Sequence, residues 1–352
     1  MVGTRSADPR RLAETRHAAR AERAQLAAVF SAHLFSTGSI VEALAVATDE
    51  LANLEEGGGI DHGAALLWEA ALISWFRGDG ADALAFADRA VDIAGRTGDL
   101  DSEIRAGPIQ ILIAYGQDRD RGAAVSRLRE NAAMARARGL TVHEGWAGVY
   151  LSFVTARLQD VESARQVWER MGAWFWVAAL LEATLHLMEG RRDASGAIFG
   201  RIRRELRLGT GTIGAWVAAK EACLYLHRGD LDEARNLLEG PSATADACRY
   251  GLVAAERSAA QGWLAWEKGR FQEACAYLAS AGADNVTATY ATISAGPAFL
   301  ALRVDALLRL DRADAAAAAV SGFEAFDPGH DRFMAAALAA ARFRRSRRLS
   351  GR

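Results

Sequence analysis

The sequence has few of the residues that usually mark nucleotide, metal or disulfide sites. Its only two lysines are Lys220 and Lys268, and neither lies in a G-x-x-x-x-G-K-[ST] phosphate-binding loop. Its three cysteines, Cys223, Cys248 and Cys275, form no C-x-x-C pair, so neither a zinc site nor a disulfide framework is indicated. These absences predict a protein without a cofactor, located in the reducing cytoplasm.

Long hydrophobic runs and catalytic motifs are lacking as well. The most apolar window, residues 174–188, is 15 residues long and contains Glu182 and His186, whereas a bilayer requires roughly 20 apolar residues. The start of the chain, residues 1–9, has no apolar stretch of signal-peptide type. The histidines are isolated, with no H-E-x-x-H pattern, and there is no G-x-S-x-G elbow. We therefore predict no enzymatic activity and no metal site.

Charge and composition are those of a folded helical protein. The net charge of −2 argues against a protein surface that neutralises many nucleic-acid phosphates. The five prolines are scattered and no Pro/Ser-rich linker divides the chain. We expect one repeat domain over residues 20–340, between an N-terminal segment, 1–19, and a basic C-terminal tail, 341–352.

A turn signature recurs along the chain, in which a Gly-Asp-like pair is followed, five residues after its first position, by a small side chain. The copies are Gly38-Ser39 with Ala43, Gly78-Asp79 with Ala83, Gln117-Asp118 with Gly122, Gln159-Asp160 with Ala164, Gly190-Arg191 with Ser195, Gly229-Asp230 with Ala234, Gly269-Arg270 with Ala274, and Leu310-Asp311 with Ala315. Successive copies lie 31 to 42 residues apart, and most are near 40. Such a period predicts an all-α solenoid of about eight helix-turn-helix units.

The signature has a physical reading. Glycine supplies the positive φ that ends one helix, and the following Asp or Ser can cap the next. The small residue falls one turn into the second helix, where the two helices cross most closely. A second position, eight residues into the first helix, is small in most units but is occupied by Gln110 and Arg303 in two of them. Its small members are Ser31, Ala71, Ser152, Ala183, Ala222 and Gly262.

The best copies, Gly229–Ala234 and Gly269–Ala274, resemble the G-D-x-x-E-A turn of tetratricopeptide (TPR) repeats. HEAT-type repeats share the period, but the Gly-Asp turns favour TPR. The standard TPR period is 34, and copies near 40 resemble the helical-repeat sensor region of large ATP-dependent LuxR-type (maltose-regulator-like) transcription regulators. The resemblance covers about residues 20–340 and implies a right-handed superhelix. The chain has neither the phosphate loop nor the DNA-reading helix-turn-helix of that family, so it resembles the sensor portion alone.

Tryptophans concentrate in the first helices of the units, which line the concave groove of TPR-like folds. The resemblance implies that repeat positions 2, 5, 9, 12 and 13 face this groove. The tryptophans at these positions are Trp68, Trp75, Trp146, Trp216, Trp263 and Trp266. They predict an aromatic groove that binds a protein, a peptide or a small-molecule effector. The alternative is that they pack between neighbouring units.

Two further sequence patterns are candidates for a nucleotide site or a charged partner. Residues 209–214 match G-x-G-x-x-G, but an arginine-bearing helical segment rather than a strand precedes them, so we interpret them as a loop between repeats. The C-terminal tail concentrates positive charge, which suits nucleic acid, an acidic partner, a frayed end or a linker. Its arginines are Arg342, Arg344, Arg345, Arg347, Arg348 and Arg352.

The leading hypothesis is a non-catalytic sensor or binding module in transcription regulation, which holds a protein, peptide or small effector in its groove. One alternative is a constitutive protein–protein scaffold. Another is a nucleic-acid binder that uses the arginine-rich tail. The sequence leaves open the ligand, the oligomeric state and the relation of the chain to a larger regulator.

Overall fold

The computed structural model is helical throughout the part of the chain that it describes, which confirms the predicted all-α class. The described residues are 9–36, 39–117, 121–155, 158–170, 176–206, 212–240, 251–281, 299–324 and 332–350. None of the helices within these ranges is long and apolar enough to cross a membrane.

The structure describes the following helices in chain order. The first eight are α1 (Pro9–Ser36), α2 (Ile40–Glu56), α3 (Ala64–Arg77), α4 (Gly80–Thr97), α5 (Leu100–Gln117), α6 (Arg121–Ala137), α7 (Thr141–Thr155) and α8 (Leu158–Arg170), with a 3-10 turn at Ile60–His62. The remainder are α9 (Trp176–Met188), α10 (Arg192–Leu206), α11 (Thr212–Arg228), α12 (Leu231–Glu239), α13 (Gly251–Glu267), α14 (Phe271–Ser280), α15 (Leu300–Arg309), α16 (Ala313–Glu324) and α17 (Arg332–Ser350).

The chain forms two compact units. The first runs to Trp75 and includes Ala81–Gln110, and the second comprises Phe76–Gly80 and the chain from Ile111 onward. The predicted boundaries after residues 19 and 340 fall inside α1 and α17, so neither coincides with the end of a helix.

Helical hairpins are the building blocks of both units. In the first, α1 packs on α2; in the second, α7 packs on α8, α9 on α10, α11 on α12, α13 on α14 and α15 on α16. The first helices of the last four hairpins also touch in series, α9 against α11, α11 against α13, and α13 against α15. The helix α17 packs on α15 and α16. One side of this unit is therefore a layer of first helices.

The repeat turn is closed by backbone hydrogen bonds. Gly229 has φ of 83°, and its N–H donates to the Leu226 carbonyl at 3.1 Å while the Asp230 N–H donates to the Tyr225 carbonyl at 2.9 Å. This pair is the Schellman arrangement, in which a left-handed residue satisfies the last carbonyls of a helix. The same pair of bonds recurs around Gly190, Gly269 and Asp311.

Side-chain capping, which we expected from the residue after the glycine, is absent from the turns at Ser39 and Asp230. Asp99, in a turn between hairpins, does cap a helix, because its carboxylate accepts the Ser102 N–H at 3.1 Å at the start of α5.

The small residue after the turn is buried as predicted in most units. Ala43, Ala83, Ser195, Ala234 and Ala274 are fully buried, and Ala164 nearly so. The burial of Gly122, in α6, lies outside what the structure describes. Ser31, on the facing helix of the first hairpin, donates to the Ala43 carbonyl at 2.8 Å, which shows how closely α1 and α2 approach.

The eighth unit departs from the prediction by one residue. Asp311 has φ of 57° and takes the left-handed position that glycine holds elsewhere, and the buried small residue is Ala316 rather than the exposed Ala315. Aspartate tolerates this conformation better than most side chains do. Counting five residues from Asp311, instead of Leu310, restores the rule.

Replacing Gly262 by valine should lower the free energy of unfolding by about 1–3 kcal/mol. A Cβ atom at Gly262 would lie 2.6 Å from Cγ of Leu278 on the facing helix α14, so α13 and α14 would have to separate. The matched control is Gly95→Ala, because a Cβ there meets nothing within 4 Å, and alanine should stabilise that helix by about 0.5–1 kcal/mol. Urea denaturation of both variants checks this, and equal stabilities would contradict the close crossing.

Candidate functional site

A pocket of about 390 Å³ lies in the second unit, between α9, α11, α13, α15 and α17. Its wall is largely apolar and includes Leu187, Trp263, Trp266, Phe299 and Leu302. The pocket exists because successive first helices lie side by side, and α17 closes one end. Its volume is within the range of known ligand sites, about 300–1,000 Å³.

Trp263 stands at the centre of the aromatic wall. Its ring meets the His227 ring edge-on at 4.6 Å and the Phe299 ring at 5.5 Å between centroids. Its indole N–H donates to Oε1 of Glu267 at 2.9 Å, one turn further along α13. The ring orientation is thus fixed from both sides, and part of its face remains exposed to the pocket.

Trp266, three residues further on, is held by the carboxylate of Asp305. Its indole N–H donates to Asp305 at 2.9 Å, and the same carboxylate oxygen accepts from Arg309 at 2.7 Å. The guanidinium groups of Arg309 and Arg344 lie 5.9 and 5.7 Å from the Trp266 ring centre, within the distance of a cation–π contact.

Two positively charged side chains, Lys220 and Arg344, line the pocket, and they differ in their partners. The Lys220 ammonium lies 2.5 Å from Oε1 of Glu256, and both side chains are almost fully buried. Arg344 donates to the Ala301 carbonyl at 3.3 Å and pairs with no carboxylate among the described residues. The pocket lining thus includes one guanidinium with no carboxylate partner among the described residues, and it also includes the carboxylate of Glu267.

Burial shifts the pKa values of two further pocket groups, Cys223 and His227, towards their neutral forms. Burial, reinforced by the charge of Glu256, raises the pKa of the Cys223 thiol to about 12. Desolvation, together with the charge of Arg192, lowers the pKa of His227. A protonated thiol is a poor nucleophile, so we do not expect Cys223 to react as one.

The six predicted tryptophans have different surroundings. Trp68 and Trp75, in the first unit, are buried, and Trp216 is fully buried with its ring edge-on to Trp176 at 5.5 Å. Trp146 is half-buried and stacks on Tyr150 at 5.6 Å. The structure brings only Trp263 and Trp266 of the six to this pocket, and the burial of Trp68, Trp75 and Trp216 fits the packing alternative.

Sequence reasoning missed the pocket residues His227, Phe299, Leu302 and Arg344. Arg344 was assigned to a tail, yet α17 continues to Ser350. A signal was present, because Ala337, Leu338 and Ala341 follow a helical apolar spacing and are buried. Arg342 likewise pairs with Glu324 at 2.8 Å, so this part of the chain packs as an element of the second unit.

The G-x-G-x-x-G match extends beyond the described residues, since 207–211 lie outside them. The element before it is the helix α10 and the element after it is α11. A dinucleotide fingerprint would need a strand in place of α10.

Comparison with solved structures identifies the fold. The Cut9–Hcn1 hetero-tetramer of APC/C contains a chain that matches with a TM-score of 0.54 at 12% identity, over 88% of this chain and 54% of that one. Cut9 is a TPR-containing protein. The fold is TPR-like.

Yeast Tom70 matches with a TM-score of 0.40 at 14% identity, over 89% of this chain and 59% of that one. The chain thus spans a little over half the length of either protein. No protein-family profile and no curated protein matches the sequence.

Proposed function

We propose that the chain is a non-catalytic binding module and that the pocket around Trp263 and Trp266 holds an apolar anchor of a protein or peptide partner. The observation that carries the proposal is the aromatic pocket, built from four successive first helices and closed by α17. Large apolar anchors in such pockets supply most of the affinity of many interfaces.

The choice of a macromolecular partner is supported by the architecture around the pocket. The first helices α9, α11, α13 and α15 lie side by side, so a partner anchored here can extend over several units. TPR-like repeats hold partners along such surfaces, and Cut9, the TPR-containing protein named above, occurs in a complex with Hcn1.

Selection of a phage-displayed random peptide library on the whole protein tests the proposal. Selected peptides should share a large apolar residue. Leu302→Arg, which places a charge in the half-buried wall, should weaken their binding by at least about tenfold. Affinity is measured by fluorescence polarisation with the labelled peptides.

The matched control is Trp146→Ala, which removes a tryptophan that lies outside the pocket lining. Its affinity for the selected peptides should equal that of the unmodified protein. If Leu302→Arg binds them as well as the unmodified protein does, or if Trp146→Ala alone loses them, the anchor does not lie in this pocket.

A sensory role in a LuxR-type transcription regulator is a finer proposal, and the repeat period near 40 is its support. Its test is genetic. A phosphate-loop ATPase or a helix-turn-helix encoded in frame with the chain would support it, and their absence from the full gene would favour the constitutive scaffold.

The nucleic-acid alternative predicts an affinity for DNA or RNA that falls steeply with salt and is lost on deletion of residues 342–352.

A further inference from the structure

A cluster of three potential metal ligands lies between α8 and α9, on helix positions that the pocket does not use. Glu162 of α8 and Glu182 and His186 of α9 each place one ligand atom so that all three lie within 4.8 Å of one another. Glu182 and His186 are four residues apart and therefore share one face of α9. Both are buried, at 5% and 8% exposure, while Glu162 is half-buried.

The two oxygens of Glu182 have different surroundings. Oε2 accepts from Nε of Arg165 at 2.5 Å, whereas Oε1 faces Nε2 of His186 at 3.9 Å. The second distance is too long for a hydrogen bond. Arg165 thus fixes the carboxylate in place, as outer-shell partners of metal ligands do, and leaves one oxygen directed at the imidazole.

Within the described residues, the imidazole of His186 has no hydrogen bond at one of its two nitrogens. Its Nδ1 is buried without a partner there, and its Nε2 lies 3.9 Å from Oε1 of Glu182. Buried polar groups of this kind call for a specific explanation.

Local charge leaves room for a cation. Arg165 is also bound by Glu169 at 2.6 Å, and Glu169 pairs in turn with Arg201 at 2.8 Å. The positive charge of Arg165 is therefore shared between Glu169 and Glu182, and Glu162 adds a further negative charge with no ion pair among the described residues.

We propose that Glu162, Glu182 and His186 form a binding site for a divalent transition-metal ion, with Zn²⁺ as the expected occupant. One imidazole nitrogen and two carboxylate oxygens, completed by water, are a ligand set that Zn²⁺ accepts. Ligand atoms about 2.0–2.2 Å from the ion lie closer together than those of the cluster do. Binding therefore requires the ligand atoms to move closer together. The half-buried Glu162 side chain, which has no ion pair among the described residues, can make this movement. The ion would join α8 to α9.

Titration of the whole, metal-free protein with Zn²⁺, followed by calorimetry and thermal unfolding, tests the site. One equivalent should bind and raise the unfolding temperature, and the stabilisation should grow with the logarithm of the ratio of free Zn²⁺ to Kd. Glu162→Gln and His186→Gln should each weaken binding by at least about tenfold. Because Glu162 is half-buried, its variant keeps the test valid if His186→Gln fails to fold.

The controls are His33→Gln and Glu233→Gln, which remove exposed residues of the same types on α1 and α12. Both should bind Zn²⁺ like the unmodified protein. Substitution with Co²⁺ should give visible bands without thiolate charge transfer. A thiolate band, unchanged binding by Glu162→Gln, or no saturable binding would each overturn the site.

Discussion

Replacing Glu256 by glutamine is expected to lower the free energy of unfolding by about 3–5 kcal/mol, the usual cost of breaking a buried ion pair. The substitution leaves the Lys220 ammonium in the interior, at 2% exposure, without the carboxylate that lies 2.5 Å away in the native protein. At this exposure little water can reach the ammonium to compensate. Since Lys220 belongs to α11 and Glu256 to α13, the loss also loosens two of the helices that form the pocket.

The paired variant Lys220→Met with Glu256→Leu separates the cost of an unpaired charge from the contribution of the pair. Hydrophobic replacements of buried pairs are often neutral or stabilising, because neither charge then needs desolvation. The double variant should therefore recover most of the stability lost by Glu256→Gln. Urea denaturation with a check of unchanged m-values gives the comparison.

Asp232→Asn is the surface control. Asp232 pairs with Arg235 at 3.0 Å, but its side chain is 83% exposed. Such pairs contribute at most about 1 kcal/mol. A cost for Glu256→Gln no greater than that of Asp232→Asn would show that the interior around Lys220 is solvated and would contradict this description of the pocket.

The hairpins and their turns could be predicted from the sequence because their causes are local. A glycine at positive φ and a small residue five places later are determined by neighbouring residues in the chain, as at Gly229 and Ala234. Where a residue other than glycine takes the left-handed position, as Asp311 does, the pattern predicts the buried small residue one position too early.

The pocket could not be predicted in the same way because its residues come from helices far apart in the chain. Trp216 and Trp263 both belong to first helices, yet Trp216 is buried and Trp263 lines the pocket. Helical spacing shows which residues share one face of a helix. It does not show which other helix, if any, packs against that face. Here α17, with Arg344, completes the pocket from a segment that composition alone marked as a tail.

The cluster of three potential metal ligands could not be predicted for a related reason. Each histidine is isolated in sequence, and His186 shares only one partner, Glu182, on its own helix. The third group, Glu162, comes from α8 and is brought into range by the packing of α8 against α9. No short motif encodes that packing.

Raising the pH from 5 to 8 is expected to destabilise the protein through Glu69. This side chain of α3 is 6% exposed, and burial raises its pKa to about 8, although Arg105 opposes the shift. The folded state therefore binds this proton more tightly than the unfolded state does. The resulting stabilisation is complete below the ordinary pKa of 4.5 and is lost as the pH approaches 8. Its size is on the order of 4 kcal/mol.

Glu69→Gln tests this expectation, because the amide resembles the protonated carboxyl and cannot ionise. The variant should be more stable than the unmodified protein at pH 8, and the difference should shrink towards pH 5. Denaturant unfolding at intervals of pH gives both curves, and their difference isolates Glu69 from groups common to both proteins. Glu42→Gln, on the exposed face of α2, controls for the loss of a surface charge. Parallel curves for Glu69→Gln and the unmodified protein would mean that Glu69 is ionised, and hence solvated, in the folded state.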